Sequence, residues 1–205
     1  MADFVGTASP ISARGLDLAM QTLESGAAEI WTVLAVETKG FGYLENRRPA
    51  ILFERHYFHR LTGGAFDAFP AISSSTPGGY LGGMREYDRL LQAVSLDRHA
   101  ALSSASWGIG QIMGSNFAQA GFTSVEEMVD AMVQSEDHQL TAMARFVCST
   151  GLHKALGKHD WAAFARGYNG PSYLKNPTTP FSRSTFNSSP PVPCPMCGCA
   201  RHRRC

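Results

Sequence analysis

Four polar residues, each standing just ahead of an apolar run with helical spacing, limit what this chain can become. Ser12 precedes Leu16, Met20 and Leu23, and Asp97 opens "DRHAALSSA". Ser124, with Glu127 three residues on, forms a capping box for "VEEMVDAMV", and Ser135 opens a longer run to about Ser149. Side-chain oxygens at such positions accept from the free N–H groups of a first helical turn. Further helices are expected over about 27–38 and 84–94, and in "KHDWAAFARGYNGP" up to Gly167. One stretch breaks the pattern. "AILFERHYF" is β-rich and reads as a short strand or hairpin to about Glu54, then a helical turn through Leu61. The expected class is therefore α+β, mainly α, with a small β element between the second and third helices. No repeat is visible.

The 205 residues suit one domain with a sizeable core, and a formal charge of +1 gives no bias towards nucleic acid. No apolar run reaches the roughly 18 residues that span a bilayer, so stable membrane insertion is not expected. "MADFVGTASPISARG" lacks the charged and apolar regions of a secretory signal. Cys148 lies alone in an apolar helical stretch and reads as a small core residue. The other four cysteines fall in the last dozen residues, where the C-x-x-C of "CPMCGC" has no second pair at zinc-ribbon spacing. No metal or cofactor is expected. The composition changes after Asn176, and "PTTPFSRSTFNSSPPVPCPMCGCARHRRC" has no apolar periodicity. Residues 1–176 are thus expected to form the folded domain and 177–205 a disordered tail. Its Arg201, Arg203 and Arg204 could tether an anionic surface, although a tail without function is the favoured reading.

Three separated stretches carry groups suited to a polar cleft. Glu37 ends an apolar helix in "VLAVETKGFGY", on the face of Ile30 and Leu34, where the helix dipole favours a cation instead. Gly40 and Gly42 then free the backbone for a turn. "SWGIGQIM" has glycines that let backbone approach a ligand, and Gln111 offers both donor and acceptor. "ARGYNGP" places Tyr168 and Asn169 beside glycines, and Glu54 in "FERH" adds a second carboxylate. Cleaving a glycosidic bond requires a proton donor and commonly a second carboxylate as base or nucleophile. A glutamate shielded by apolar surroundings can hold its proton near neutrality. Trp107 and Trp161 could stack on sugar rings or sit in the core, with Trp107 assigned to the cleft because it adjoins Gly108. Tyr43 and Tyr80 are candidate wall residues. His56 and His59 could share a helix face but show no carboxylate at ligand spacing, so they read as structural or cleft-lining. "TGGAFDAFPAISSSTPGGYLGG" is a long loop of the kind that lines a site or moves.

"AVETKGFGY", "SWGIGQIMG" and "ARGYNGP" resemble, in order and separation, the signature stretches shared by lytic transglycosylases and goose-type lysozymes. "ILFERHYFHRLTGG", "TPGGY", "SASWGIGQIMG" and "DWAAFARGYNGPSY" resemble more closely the N-acetylmuramidase family of phage endolysins that attack Gram-negative peptidoglycan. The resemblance covers about residues 12 to 176. It implies a lysozyme-like fold and hydrolysis of the β-1,4 bond between N-acetylmuramic acid and N-acetylglucosamine. It further implies Glu37 as general acid, with Gln111, Tyr168 and Asn169 lining the sugar cleft. Glu54 falls where that superfamily can place its second carboxylate. A structural Glu54–Arg55 or Glu54–His56 cluster is the alternative. The implied partner is the glycan strand of peptidoglycan, with no cofactor and a monomeric enzyme. The implied route is accumulation in the host cytoplasm and access to the periplasmic wall after a holin opens the inner membrane.

Two departures from that family stand out. Many members carry an N-terminal peptidoglycan-binding module, whereas this chain begins almost directly with the catalytic domain. Members also continue past "NGPSY" into an amphipathic helix, and this chain turns to proline, serine and cysteine, as a frameshift or prophage remnant would. Two other functions therefore stay open: a lytic transglycosylase, in which the muramoyl 6-hydroxyl replaces water, and an inactive glycan-binding or phage-structural protein.

Overall fold

The computed structural model describes residues 4–37 and 42–170, the side chains of Val36 and Glu37 excepted. Thr38, Gly40 and the expected tail at 177–205 lie outside the described residues. Helix α1 (Ala13–Leu23) starts where the sequence places it, with the Ser12 hydroxyl accepting from Gly15 N–H, and ends at Glu24 in the left-handed conformation. Leu16, Ala19 and Leu23 face the core. Helix α2 (Ala27–Glu37) buries Ile30, Val33 and Leu34.

Strand β1 (Ile51–Phe53) leads directly into α3 (Arg55–Leu61), so Glu54 is the residue between them. After the long 62–84 loop come α4 (Arg85–Leu96) and α5 (Arg98–Ser103), the latter capped by Asp97 accepting from Ala100 N–H. The glycine-rich stretch then forms a hairpin, β2 (Ala105–Trp107) and β3 (Ile112–Met113). The sheet order is β1-β2-β3, antiparallel throughout, with Ile51 opposite Trp107 and Trp107 opposite Ile112. The β element is thus not confined to the gap between α2 and α3. Two of its strands arrive from beyond α5.

Helices α6 (Val125–Met132), α7 (Glu136–Ser149), α8 (His153–Gly157) and α9 (Trp161–Asn169) complete the described fold. Ser124 caps α6 by accepting from Glu127 N–H, as expected. The Glu127 carboxylate, however, accepts from Thr123 N–H and its hydroxyl rather than from Ser124 N–H. The last helix runs two residues beyond Gly167, so Tyr168 and Asn169 are helical.

The core gathers apolar faces from α1, α2, α4, α5, α6 and α7 around the sheet. Phe4 packs between Tyr87 and Trp107, at ring-centroid distances of 5.8 and 5.6 Å. Cys148 is a free thiol packed against the core, its Sγ 2.9 Å from the Thr22 carbonyl oxygen it donates to. No helix among the described residues is long and apolar enough to cross a membrane.

Candidate active site

Glu54 stands where the strand becomes a helix, and its own N–H donates to Ser104 O at 2.9 Å. Its carboxylate receives the Tyr80 hydroxyl at 2.8 Å and 2.9 Å, one contact to each oxygen. His56 Nδ1 lies 3.1 Å from Oε2 without the alignment of a hydrogen bond. Burial pushes the Glu54 carboxyl above the usual carboxylate range, against the pull of the Tyr80 hydroxyl, His56 and Arg89, while Glu86 adds to the rise. Burial and the neighbouring Glu54 charge also push the Tyr80 hydroxyl up, so it stays a donor at any physiological pH.

Arg55 does not contact this carboxylate. Its guanidinium reaches the carbonyl oxygens of Pro70, Thr76 and Pro77 at 3.0, 2.9 and 3.3 Å. Of the two structural alternatives for Glu54, only the contact with His56 is present. His59 pairs with Asp67 at 2.8 Å, and Ser73 donates to the same carboxylate.

Beneath Glu54 lies an ion pair carried by α4. Glu86 and Arg89 are almost wholly buried and 2.8 Å apart. Glu86 accepts from the N–H groups of Leu81, Gly82 and Phe53. Arg89 donates to Ala71 O and Phe53 O, both at 2.9 Å. One pair therefore fastens the long loop to the strand that carries Glu54. The loop is pinned at several points along its length, not free-hanging.

The first two of the three signature stretches meet on α7. Gln139 is fully buried, and its Oε1 accepts from Ile109 N–H at 2.7 Å. Its Nε2 donates to Met132 O at 2.9 Å and, more weakly, to Gly42 O at 3.5 Å. Glu136 accepts from Gly42 N–H at 2.8 Å. A Cβ on Gly42 or on Gly108 would collide with the Gln139 side chain, so Gly42 is required for space, not for a left-handed turn. Gly108 needs glycine twice, since its φ is also +69°. The third stretch joins through Tyr168, whose hydroxyl donates to Gly110 O at 2.6 Å while its ring stacks on Phe164.

Gln111 and Trp107 differ from expectation in what their polar groups and rings do. The Gln111 amide is committed within the protein, accepting from the Ser106 hydroxyl and donating to Ala50 O and Gly108 O. Trp107 offers no ring face to a sugar: it is 0% exposed, with Nε1 donating to Leu102 O at 3.1 Å. All three residues of β2 are buried, which leaves an indole on that strand only the core. Trp161 packs against the core and stacks on His159. The Tyr43 hydroxyl donates to Met132 O, and Asn169 ends α9 half-buried. Glu37 is the last residue of α2, five positions before Gly42.

Residues 26–178 match the model of the N-acetylmuramidase family, about three quarters of the chain. The chain belongs to the N-acetylmuramidase family. It is also similar to the crystal structure of the Burkholderia AP3 phage endolysin, with 38% identity and a TM-score of 0.73 over 86% of this chain and 70% of that one. Among curated proteins none matches. The fold is accordingly lysozyme-like, and the protein is a muramidase, a glycoside hydrolase of peptidoglycan.

Sequence reasoning missed Gln139, Glu136, Glu86 and Arg89 in this muramidase. All four occur at helical spacing beside other polar residues, so nothing local separates a buried pair from a solvated face. The one available signal was glycine. Gly42 and Gly108 each mark a place where something presses on the backbone, and both presses come from Gln139.

Proposed function

We propose that this muramidase cleaves the β-1,4 bond between N-acetylmuramic acid and N-acetylglucosamine with Glu37 as general acid and Glu54 as the second carboxylate. The observation that supports the pair most is the state of Glu54. It is a largely buried carboxyl at a strand-to-helix junction, both of whose oxygens receive the Tyr80 hydroxyl, seventeen residues after Glu37. Glu37 ends α2, and the field at the carbonyl end of a helix disfavours negative charge, which suits a proton donor. Glu37 gives its proton to the leaving oxygen, and Glu54 in its charged form guides water or stabilises the developing oxocarbenium ion. Tyr168 and Asn169, on the last turn of α9, line the cleft, with Gln111 shaping its backbone. The catalytic domain spans residues 1–176. We further propose that the enzyme acts as a monomer on periplasmic peptidoglycan after holin-mediated release from the host cytoplasm.

Glu37→Gln and Glu54→Gln, assayed on outer-membrane-permeabilised Gram-negative cells and on purified sacculi, test this reading. Loss of a general acid is expected to lower the rate by about 10²–10⁴-fold with the circular dichroism spectrum unchanged. Retained activity in Glu37→Gln refutes the acid assignment, and retained activity in Glu54→Gln refutes the second. Mass spectrometry of the muropeptides is expected to show reducing muramoyl ends. Anhydro-muramoyl ends would instead make the enzyme a lytic transglycosylase.

A further inference from the structure

The 62–84 loop is held on both sides of a single tyrosine. On the N-terminal side, Arg55 grips the carbonyls of Pro70, Thr76 and Pro77, and Gly79 lies so close to its guanidinium that an added Cβ would be 3.1 Å from Nη1. On the C-terminal side, the buried Glu86 carboxylate receives the N–H groups of Leu81 and Gly82, the next two residues. Tyr80 between them has little freedom of backbone placement, and its hydroxyl meets both oxygens of Glu54 at once. A tyrosine that only lined a sugar wall would not need staples on either flank. Nor would a wall residue direct its one donor away from the sugar and onto a carboxylate.

We propose that Tyr80 is a positioning residue for the reaction, its hydroxyl holding the Glu54 carboxylate in one orientation and stabilising its charged form. This rests on Glu54 being the second carboxylate. The physical basis is a neutral O–H donating to a charged acceptor in a partly desolvated place, where such a bond is stronger than between neutral groups. Four groups face Glu54. Tyr80 comes from the loop, His56 from α3, and Arg89 and Glu86 from α4. Tyr80, His56 and Arg89 favour the charged form, and Glu86 with burial opposes it. Tyr80 supplies the only hydrogen bonds to the carboxylate among the described residues. Its removal leaves burial less opposed, so the proton is held to a higher pH.

The test is Tyr80→Phe in the full chain, which keeps the ring and deletes the donor. Glu54 is titrated directly through its side-chain carboxyl 13C resonance, and activity on sacculi is measured against pH. The expected result is a Glu54 midpoint about one pH unit higher than in the wild type, tenfold in the ionised fraction on the acid side. The acid limb of the activity profile should move up in step. Arg55→Lys, which loosens the staple before Gly79, is expected to move both in the same direction by less. An unmoved or lowered Glu54 midpoint in Tyr80→Phe overturns the proposal, as does a raised midpoint with an unmoved activity limb in an enzyme that Glu54→Gln inactivates. Activity retained in Glu54→Gln refutes the second-carboxylate assignment instead, and the carboxyl titration still reports whether Tyr80 sets the charge.

Discussion

Replacing Gln139 by leucine keeps the side-chain volume and deletes one acceptor and one forked donor in the middle of the molecule. The three partners do not suffer equally. Ile109 N–H has Gln139 Oε1 as its acceptor and is buried, so it is left unpaired at a cost of about 1–3 kcal/mol. Met132 O loses a 2.9 Å bond but keeps the Tyr43 hydroxyl, which limits its loss to about 0.5–1.5 kcal/mol. Gly42 O keeps its bond from Ala50 N–H and loses only the 3.5 Å contact, too long to count for much. The total is about 2–4 kcal/mol, set against the roughly 5–15 kcal/mol that hold a typical domain together. Gln139→Leu should therefore fold, and with a urea slope of about 2 kcal/mol/M its midpoint should fall by about 1–2 M. A fall below about 0.3 M would show that these hydrogen bonds do not hold the signature stretches together.

Gln139→Glu separates the acceptor from the donors in the same assay. Its carboxylate can still receive Ile109 N–H but presents a negative charge to two carbonyl oxygens, three residues from Glu136. Burial raises the folded-state pKa of such a carboxyl above its unfolded value of about 4.3. The folded state then binds the extra proton, so the deficit against wild type should grow as pH rises from about 4 towards 7. The deficit of Gln139→Leu should be flat over that range.

Gly108→Ala combines a left-handed φ of +69° with a Cβ 2.6 Å from Gln139 Cδ. It should cost about 2 kcal/mol or more in urea unfolding, and a neutral effect would show that the hairpin turn relaxes freely. Arg89→Met strands the Glu86 carboxylate. Uncompensated buried charges cost about 3–5 kcal/mol, and the three N–H donors left to Glu86 place this case at the lower end. Thermal melts should show the loss, and limited proteolysis should cut the 62–84 loop faster. An uncut loop would show that its order does not depend on Arg89.

The helices were legible because their starts are local chemistry. Ser12, Asp97, Ser124 and Ser135 cap as their spacing predicts, since a cap needs only its own first turn. The hairpin at 105–113 was not legible, because its glycines answer to a side chain on α7 far along the sequence. For the same reason the aromatic residues were only partly assignable. Trp107 and Tyr80 both stand near glycines, and a glycine neighbour does not say which way a ring turns. Trp107 belongs to a strand covered on both faces, and its one donor finds Leu102 O, so it goes to the core. Tyr80 belongs to a loop with no ladder, and its donor finds Glu54.

That loop shows how an irregular segment can hold a site. Fixing each of its residues costs about 1–2 kcal/mol in backbone entropy, and long glycine-rich loops are usually left mobile. Here Ile72 and Phe66 anchor it by burial, and charged side chains take the place of a strand's ladder. Arg55 and Arg89 collect carbonyls at 70, 71, 76 and 77, and Glu86 collects amides at 81 and 82. Arg55 sits one residue after Glu54, while Glu86 and Arg89 also bind Phe53, the residue before it. The groups that order the loop are thus the same groups that fix the backbone on either side of Glu54. Any motion that displaces the loop must also disturb the strand end that carries this carboxylate, so Tyr80 and Glu54 stay in register as one unit.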